Sequence, residues 1–281
     1  MKDLKITVLS ENSSICALSC EHGLSLYLEY NDNVYLLDAG SSDLFMRNAA
    51  ALGADLGRVK LCILSHGHYD HANGLEPFLE AYPDVPVYAM RSYGGDYYTG
   101  VGGLRYVGVP ESLKTIHRER FSLIDSVTMI DDGIWAVPHS TPGLDAVGRR
   151  ARLYMKKGEE YLPDGFAHEM SAVFDTANGL VIINSCSHAG LLPILGEVQS
   201  ALPDRPLYAF IGGLHMMGSV DNLDTSLYTK EELEQLTDAV APFGLKHIYT
   251  GHCTGRAAYA MLEDLLGETL SPLGTGMTFT L

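Results

Sequence analysis

The sequence predicts an α/β fold, and three observations lead to that prediction. Strand-like and helix-like runs alternate over residues 4–90, and the alternation returns from residue 170 onward. A run of histidines directly follows the short apolar segment Val59–Leu64, which is typical of a buried strand. One strand–loop–helix unit also occurs twice with similar residues. Because α/β proteins bind ligands at the carboxyl ends of strands, we expect the functional site there.

Length and charge limit the class of protein. The chain has 281 residues, of which 46% are hydrophobic and 19% charged, so it can bury a sizeable core. It contains 19 Lys and Arg against 35 Asp and Glu, which gives a net charge of −16. This charge repels phosphate backbones, so we expect no nucleic-acid partner. The 11 histidines are a generous supply and suggest metal chemistry.

Cysteine usage and apolar segments indicate the compartment. The odd number of scattered cysteines, five in all, does not suggest a disulfide framework. The segment Met1–Ile6 lacks the apolar core of a signal peptide, and no apolar stretch approaches the about 18–20 residues that span a bilayer. We therefore expect a cytoplasmic protein with reduced thiols and no membrane partner. The sequence leaves the oligomeric state open.

Apolar patterning predicts the elements of the first 90 residues. Helices are expected at Leu44–Leu52 and Ala72–Ala81, and Pro83 ends the second. A turn at Asn31-Asp32 favours a hairpin between the strands that flank it. Besides Val59–Leu64, four strands are expected: Leu4–Leu9, Leu24–Tyr30, Asn33–Asp38 and Val85–Met90.

Residues 91–168 differ from the rest of the chain. Gly, Tyr and charged residues are frequent there, periodicity is weak, and strands are expected only within Thr128–Val137. We interpret this segment as an inserted lid and loop region inside a single domain that spans residues 1–281. Beyond it, strands are predicted at Ser171–Asp175, Leu180–Asn184, Leu207–Ile211 and His247–Thr250. Helices are predicted at Leu191–Ala201, Lys230–Ala241 and Arg256–Leu266.

The repeated unit joins an apolar strand to a helix through Ser-x-x-His. The first copy is Leu61–His68, with a Gly-Leu-x-Pro-x-Leu helix start at Gly74. The second copy is Val181–His188, with the same helix start at Gly190. This similarity indicates a duplication whose two halves present loops to one shared cleft. Chance similarity between two βα units is the alternative.

The strongest functional signal is Ser65-His66-Gly67-His68-Tyr69-Asp70-His71, which holds four potential metal ligands directly after a strand. In an extended loop, His66 and His68 point to the same side and can bind one cation through two imidazoles. Asp70 and His71 lie further along the turn, so they suit a second cation. Imidazoles together with a carboxylate favour Zn²⁺, and Mn²⁺ or Fe²⁺ are the alternatives.

This pattern, His66-x-His68-x-Asp70-His71, resembles the signature of the metallo-β-lactamase fold superfamily, and Leu36-Leu37-Asp38-Ala39-Gly40 resembles its strand ending in Asp-x-Gly. The resemblance implies a four-layer αββα sandwich, with two mixed sheets back to back, helices outside and metals at one edge. Three further motifs resemble the branch related to archaeal dihydropterin-ribofuranosylaminobenzene phosphate synthase: Ser185-Cys186-Ser187-His188-Ala189-Gly190, Ile211-Gly212-Gly213-Leu214-His215 and Gly251-His252-Cys253-Thr254-Gly255.

The resemblance also implies roles for individual residues. His252 matches the final histidine ligand, which completes the second metal's shell, and His188 is expected to be a ligand at the corresponding strand end of the second half. Asp38 is expected to orient a ligating histidine through a hydrogen bond. Asp70 would hold the second metal and orient the attacking hydroxide or accept its proton.

Two ligands that most members of the superfamily share are absent from this sequence. Cys186 stands where a bridging Asp is expected, either as a thiolate ligand or as an inert buried thiol. Glu169, or its neighbour His168, stands near the place of an earlier ligand. The third and bridging ligands therefore remain open between these residues.

Four further residues are weaker candidates. His215 follows two glycines that allow close backbone approach, so it could position substrate or donate to a developing negative charge. A structural strand-end histidine is the alternative there. Arg256 could meet an anionic substrate at a helix N-terminus, and an exposed helix arginine is the alternative. His22, which precedes a glycine and a strand, is a weaker candidate for the same role as His215. His139 is expected in a surface turn, and a lid residue is the alternative.

These residues predict a metal-dependent hydrolase. Two divalent metals would share and activate a hydroxide that attacks a small, anionic molecule such as an ester or a phosphate ester. One alternative is a pterin-related synthase or transferase in which the metal activates a diphosphate leaving group. Another is a non-enzymatic metal-binding or redox-sensing module that uses Cys186 and Cys253.

Overall fold

A computed structural model describes residues 3–220 and 223–281. Its strands are, in chain order, β1 (Leu4–Ser10), β2 (Ser25–Tyr30), β3 (Asn33–Leu37), β4 (Val59–Ile63), β5 (Val87–Met90), β6 (Tyr97–Thr99), β7 (Arg105–Tyr106), β8 (Phe121–Ile124), β9 (Thr128–Asp131), β10 (Ile134–Pro138), β11 (Leu153–Lys157), β12 (Glu160–Pro163), β13 (Met170–Thr176), β14 (Gly179–Ile183), β15 (Leu207–Ile211), β16 (Met217–Val220), β17 (Leu223–Ser226), β18 (His247–Thr250), β19 (Leu270–Pro272) and β20 (Thr278–Thr280). Its helices are α1 (Leu44–Leu52), α2 (Tyr69–Ala72), α3 (Leu75–Ala81), α4 (Glu111–Lys114), α5 (Leu144–Ala151), α6 (Leu191–Ala201), α7 (Lys230–Val240) and α8 (Arg256–Leu266).

Two main sheets have seven strands each. The first has the order β20-β1-β2-β3-β4-β5-β8, and the second has the order β19-β18-β15-β14-β13-β10-β9. In each sheet, antiparallel strands at one side give way to parallel strands at the other. Both sheets are therefore mixed, as the sequence predicts. A four-stranded sheet of order β12-β11-β6-β7 and the hairpin β16-β17 accompany them.

Three apolar clusters show how the layers are stacked. One cluster joins side chains of both main sheets, such as Leu28 of β2 and Phe174 of β13, and lies between the sheets. A second covers the outer face of the first sheet with residues of α1 and α3, including Phe45 and Phe78. The third covers the outer face of the second sheet with residues of α6, α7 and α8, including Leu262. The predicted αββα sandwich is confirmed.

Most predicted elements outside residues 91–168 are confirmed within two residues at each end. The helix predicted at Ala72–Ala81 is wrong in one respect, because it is split into α2 and α3. The break lies where Gly74 passes close to another backbone: a Cβ at this position would stand 2.0 Å from the carbonyl oxygen of Ala39. The strands of the small four-stranded sheet have too little periodicity to be predicted.

The topology supports the predicted duplication but shifts it by one strand. In the first sheet, β3 is antiparallel to β2 and parallel to β4. In the second sheet, β14 is antiparallel to β13 and parallel to β15. The counterpart of β14 is therefore β3, and the counterpart of β4 is β15. Pairing the loop after β4 with the loop after β14, as the sequence similarity suggests, is wrong by one position.

Residues 91–168 contribute to three sheets. Strand β8 joins the first main sheet, and β9 and β10 join the second. The small sheet lies against the histidine loop, because the backbone N–H of Tyr69 donates to the carbonyl of Val107 at 2.9 Å and His68 forms a bridge with Gly108. This segment therefore forms one wall over the ends of the main strands. No helix in residues 3–220 and 223–281 is long and apolar enough to cross a membrane.

Candidate metal centre

The loops at the carboxyl ends of the parallel strands meet at one edge of the sandwich. The loops after β3 and β4 in the first sheet face those after β14, β15 and β18 in the second. Contacts across the edge bring together most of the residues predicted for the site: Asp38, His66, His68, Asp70, His71, Cys186, His188, His215 and His252.

The first group of candidate ligands is His66, His68 and His188. A ligand atom of each lies within 4.8 Å of the other two. The Nε2 atoms of His66 and His68 and both ring nitrogens of His188 are buried without a hydrogen-bond partner. A buried polar atom without a partner is costly, so a cluster of such nitrogens indicates a cation-binding site. This observation fits a metal ion held by three imidazoles.

The protonation of this group suits metal binding. Burial, together with neighbouring histidines, holds the pKa of His66 and of His188 well below the usual range. Burial also lowers the pKa of His68 to about 3. The three rings are therefore neutral near pH 7, and a neutral imidazole has a lone pair that a metal ion can use.

The second group is Asp70, His71 and His252. Nε2 of His71 and Nε2 of His252 are 3.1 Å apart, and each lies 3.4 Å from Oδ2 of Asp70. Two donor atoms at about 2.0–2.1 Å from a tetrahedral zinc ion stand about 3.3 Å apart. The spacing of the three atoms therefore fits a single cation.

Hydrogen bonds fix the orientation of these ligands. Nδ1 of His71 lies 2.8 Å from Oδ2 of Asp38, and Nδ1 of His252 lies 3.0 Å from Oδ1 of Asn12. Asp38 also accepts from the backbone N–H and the hydroxyl of Ser65, at 2.8 and 2.6 Å. With Nδ1 as the donor, each ring of the second group turns Nε2 toward the other candidate ligand atoms. The predicted partner Asp38 lies beside the ligand that it would orient.

The negative charge of the buried carboxylates in and beside the second group favours binding of a cation. Although burial opposes it, the carboxylates of Asp70 and Asp38 raise the pKa of His71 to about 10. Burial likewise opposes ionisation of Asp70, but the neighbouring histidines hold the pKa of this carboxyl well below its usual range. A proton on His71 therefore supplies the positive charge in the metal-free state, and a divalent ion can replace it.

Two buried thiols adjoin the second group. Sγ of Cys186 lies 3.3 Å from Nε2 of His71, and Cys186 forms a further cluster within 4.8 Å with His252 and Cys253. Burial raises the pKa of the Cys186 thiol well above its usual range. Cys253 accepts a hydrogen bond at Sγ from the backbone N–H of His215 at 3.3 Å. Cys186 is thus placed among the candidate ligands.

Ligation by Glu169 or His168 stays a prediction. A ligand atom of His168 lies within 4.8 Å of those of His68 and Asp164, whereas Glu169 forms hydrogen bonds to backbone. The two oxygens of Glu169 accept the backbone N–H groups of His188 and Ala189 at 2.8 and 2.9 Å. His168 accepts the backbone N–H of Gly67 at Nδ1 and bonds Asp164 through Nε2. Both side chains therefore support the ligand loops through hydrogen bonds. Their buried contacts leave no local signal in the sequence.

A buried polar chain supports the loop after β14. Oδ1 of Asn184 accepts the backbone N–H of Ser187 at 2.7 Å, and its Nδ2 donates to Ser171 at 3.0 Å. His139 lies 2.8 Å from the Ser171 hydroxyl and 2.7 Å from Glu197. The prediction that His139 lies in a surface turn is wrong, because it is buried and connects this chain to α6.

A cleft of about 130 Å³ opens onto both ligand groups. His215 lines it with a backbone φ of 49°, a conformation that is uncommon for residues other than glycine. Its ring centroid lies 4.2 Å from that of His188, and its buried Nδ1 has no partner. Arg105 of β7 lines the same cleft. Arg256 lines a neighbouring cavity of about 290 Å³ that shares Met217 and His252 with the cleft.

The sandwich and the clustered ligands at its edge define an αββα metal-binding protein. Residues 18–143 match the family model of the metallo-beta-lactamase superfamily. The crystal structure of a metal-dependent hydrolase of the beta-lactamase superfamily is 27% identical, with a TM-score of 0.80 over 98% of both chains. The family match over residues 18–143 and the similar crystal structure agree with the superfamily that the motifs predict.

Two relatives from Methanocaldococcus jannaschii are similar over most of the chain. An uncharacterized protein is 26% identical over 267 residues, which cover 92% of this chain and 94% of the relative. The 7,8-dihydropterin-6-methyl-4-(beta-D-ribofuranosyl)-aminobenzene-5'-phosphate synthase is 24% identical over 281 residues, which cover 91% of this chain and 88% of the relative. The second relative bears the name of the branch that the later motifs resemble.

Proposed function

We propose that the protein is a hydrolase that uses two divalent metal ions to cleave a small molecule. The observation that carries this proposal is the cluster of orphaned nitrogens on His66, His68 and His188 beside the converging atoms of Asp70, His71 and His252. The two groups adjoin, since the ring centroids of His66 and His71 are 4.2 Å apart. Adjacent ligand sets of this kind suit a two-metal site.

The residues of the chain have separate tasks in this proposal. Bound divalent ions would lower the pKa of a coordinated water to about 7 and polarise the substrate. Oδ2 of Asp70, 3.4 Å from Nε2 of His71, would orient the attacking water and accept its proton. Nδ1 of His215, which is buried without a partner at the cleft, would donate to negative charge that develops on the substrate.

Zinc is the metal that the ligands favour. Imidazole nitrogens make up most of both groups, and the thiol of Cys186 adds a soft donor 3.3 Å from Nε2 of His71. Mn²⁺ and Fe²⁺ suit imidazole and carboxylate ligands as well, so they are the alternatives to test. The sulfur argues for zinc over manganese because thiolates prefer softer ions.

An anionic small molecule is the substrate that the cleft favours. Arg105, on a chain with a net charge of −16, is the sole lysine or arginine among the described residues that line the cleft. Arg256 offers a second cationic contact in the neighbouring cavity. The wall that carries Arg105 is the four-stranded sheet β12-β11-β6-β7 within residues 91–168. This part of the segment supports our proposal of a lid within one domain, whereas β8, β9 and β10 belong to the main sheets. The free thiols support a cytoplasmic location.

A pterin-related synthase or transferase is the second candidate. The similarity to the archaeal synthase, which covers 91% of this chain, favours it. In that case the same ligand groups would assist departure of a diphosphate. Incubation with a pterin diphosphate and an aminobenzene ribotide distinguishes the two, because a condensation product supports the synthase and release of pterin alcohol without condensation supports the hydrolase.

The test of the proposal is metal content together with activity. Purified protein is depleted with a chelator, reloaded with Zn²⁺, Mn²⁺ or Fe²⁺, and assayed on phosphodiesters, phosphomonoesters and carboxylic esters. We expect activity only after reloading, and we expect His66→Ala and His68→Ala to lose both metal and activity. His117→Ala, a histidine outside the cleft, is the matched control. Retained activity in the metal-free protein would contradict the proposal.

A further inference from the structure

The mouth of the cleft holds a histidine that the proposed mechanism does not use. The side chain of His22 is 44% exposed, whereas the ligand histidines are buried. Its Nε2 lies 3.3 Å from Oδ2 of Asp70. We propose that His22 is a positioning residue whose Nε2–H donates to Asp70 and fixes this carboxylate in the second ligand group. The inference rests on the proposed function, in which Asp70 and His252 hold a metal ion.

The loop that carries His22 is anchored against the site. The carboxylate of Glu21 accepts the backbone N–H groups of Ser41 and Ser42, at 3.0 and 3.2 Å, and the Ser42 hydroxyl at 2.6 Å. The Ser41 hydroxyl donates to the carbonyl of His22. At Gly23, with φ of +154°, a Cβ would stand 2.6 Å from the carbonyl oxygen of Asp70. The backbone at Gly23 therefore packs directly against the backbone at Asp70, and these contacts fix the position of His22.

Asn12 lies between His22 and His252 and contacts both rings. Its Oδ1 accepts the backbone N–H of Gly23 at 3.2 Å and lies 3.0 Å from Nδ1 of His252. Its Nδ2 donates to the carbonyl of His252 at 3.2 Å and lies 3.2 Å from Nδ1 of His22. The Gly23 and His252 backbone contacts fix which end of the amide is oxygen, because an N–H donates and a carbonyl accepts.

This one amide sets the two histidines in opposite tautomers. An amide oxygen accepts, so His252 carries a proton on Nδ1 and keeps the lone pair of Nε2 for a metal ion. An amide nitrogen donates, so His22 accepts at Nδ1 and carries its proton on Nε2. Nε2–H of His22 then points at Oδ2 of Asp70, the oxygen that lies 3.4 Å from Nε2 of both His71 and His252.

The tautomer distinguishes positioning from ligation. A ligand atom of His22 lies within 4.8 Å of those of Asp70 and His252, close enough for a ligand group. A nitrogen that carries a proton has no lone pair for a metal ion, so His22 acts through Asp70. Partners that hydrogen-bond to metal ligands typically contribute about 10–100-fold to metal affinity.

The experiment compares zinc dissociation constants for the two sites, measured by chelator competition in the full-length wild type, His22→Leu, His22→Gln and the control His117→Leu. The site that His22 supports is identified as the one that is lost in His252→Ala. In His22→Leu, the zinc affinity of that site should fall by about 10–100-fold, and the affinity of the other site should stay unchanged. His22→Gln keeps an N–H donor and should retain most of the affinity. Unchanged constants in His22→Leu, or equal losses in the Leu and Gln variants, would overturn the inference.

A second measurement reads the tautomer directly. Nitrogen-15 NMR of the zinc-loaded protein should show His22 protonated at Nε2 and unprotonated at Nδ1. A metal-bound Nε2 on His22 would overturn the inference and make His22 a ligand. The proposed two-metal function would fail if the wild-type protein bound fewer than two zinc ions. That outcome differs from both results that would overturn the inference about His22.

Discussion

The carboxylate of Asp38 connects the two halves of the histidine motif: its Oδ2 lies 2.8 Å from Nδ1 of His71 and 2.6 Å from the hydroxyl of Ser65, which in turn lies 2.9 Å from Nδ1 of His66. All of these side chains are buried. One carboxylate at the end of β3 thus orients a member of each candidate ligand group, with its backbone at φ of 55° to reach them.

Replacing Asp38 with Asn tests this connection. The amide keeps the size of the side chain but turns one acceptor oxygen into a donor, which then faces the Nδ1–H of His71 and the Ser65 hydroxyl. We expect zinc affinity to fall by about 10–100-fold. Chelator competition measures the change, with the exposed Asp238→Asn as control. Equal affinities in Asp38→Asn and the wild type would show that Asp38 does not orient a ligand.

The pH dependence of the metal-free protein follows from the buried histidines. The pKa of His68 is lowered to about 3, whereas in the unfolded chain it is about 6.5. Between pH 6.5 and about 3, the imidazole of His68 is protonated in the unfolded state but not in the folded state. The free energy of unfolding therefore decreases as the pH falls through this range. His66 and His188, with lowered pKa values of the same cause, add to the loss.

Urea unfolding in the presence of EDTA at pH 7, 6 and 5 measures this effect. The free energy of unfolding should decrease with falling pH, by up to about 1.4 kcal/mol per pH unit for each group. His71 does not compensate, because its pKa is raised to about 10 and its contribution is already complete below pH 6.5. His68→Gln should reduce the slope, and an unchanged slope in that variant would contradict the assignment.

Cobalt substitution distinguishes the two roles predicted for Cys186, a metal ligand or an inert buried thiol. Its Sγ lies 3.3 Å from Nε2 of His71, so we expect the cobalt-substituted protein to show sulfur-to-metal charge-transfer absorption. Cys186→Ser should lose that absorption, whereas Cys62→Ser, a buried cysteine on β4, should keep it. Cobalt-loaded wild type without the absorption would mean that Cys186 is only buried core.

His215 is expected to act in catalysis without holding metal. Asn suits the positive φ of 49° at this position, so His215→Asn should fold. We expect kcat to fall by about 100-fold or more, in the range that a positioned acid or base contributes, while zinc content stays at the wild-type level. A loss of zinc in this variant would instead assign His215 to the metal groups.

The sequence predicts the ligands better than it predicts their supports. His66, His68, Asp70 and His71 lie in one short motif after a strand, so local spacing alone indicates a metal site. By contrast, the contact between Asn12 and His252 joins residues 240 positions apart. Such a contact depends on how the two sheets meet, and a single sequence carries no local signal for it.

Glu169 illustrates the same difference. Its position near the motifs suggests a ligand, yet its oxygens accept backbone N–H groups from residues 19 and 20 positions further along the chain. The repeated Ser-x-x-His unit misleads in a similar way. Similar residues follow β4 and β14, but strand pairing makes β15 the counterpart of β4. Sheet order is set by pairing, which sequence similarity alone does not determine.

The most direct test of the two-metal site is a crystal of the zinc-loaded protein with anomalous data collected at the zinc edge. The account predicts two anomalous peaks, one within bonding distance of His66, His68 and His188 and the other within bonding distance of Asp70, His71 and His252. A coordination position open to water on at least one ion is expected as well. A single peak enclosed by four protein ligands, or no peak at this edge, would contradict it.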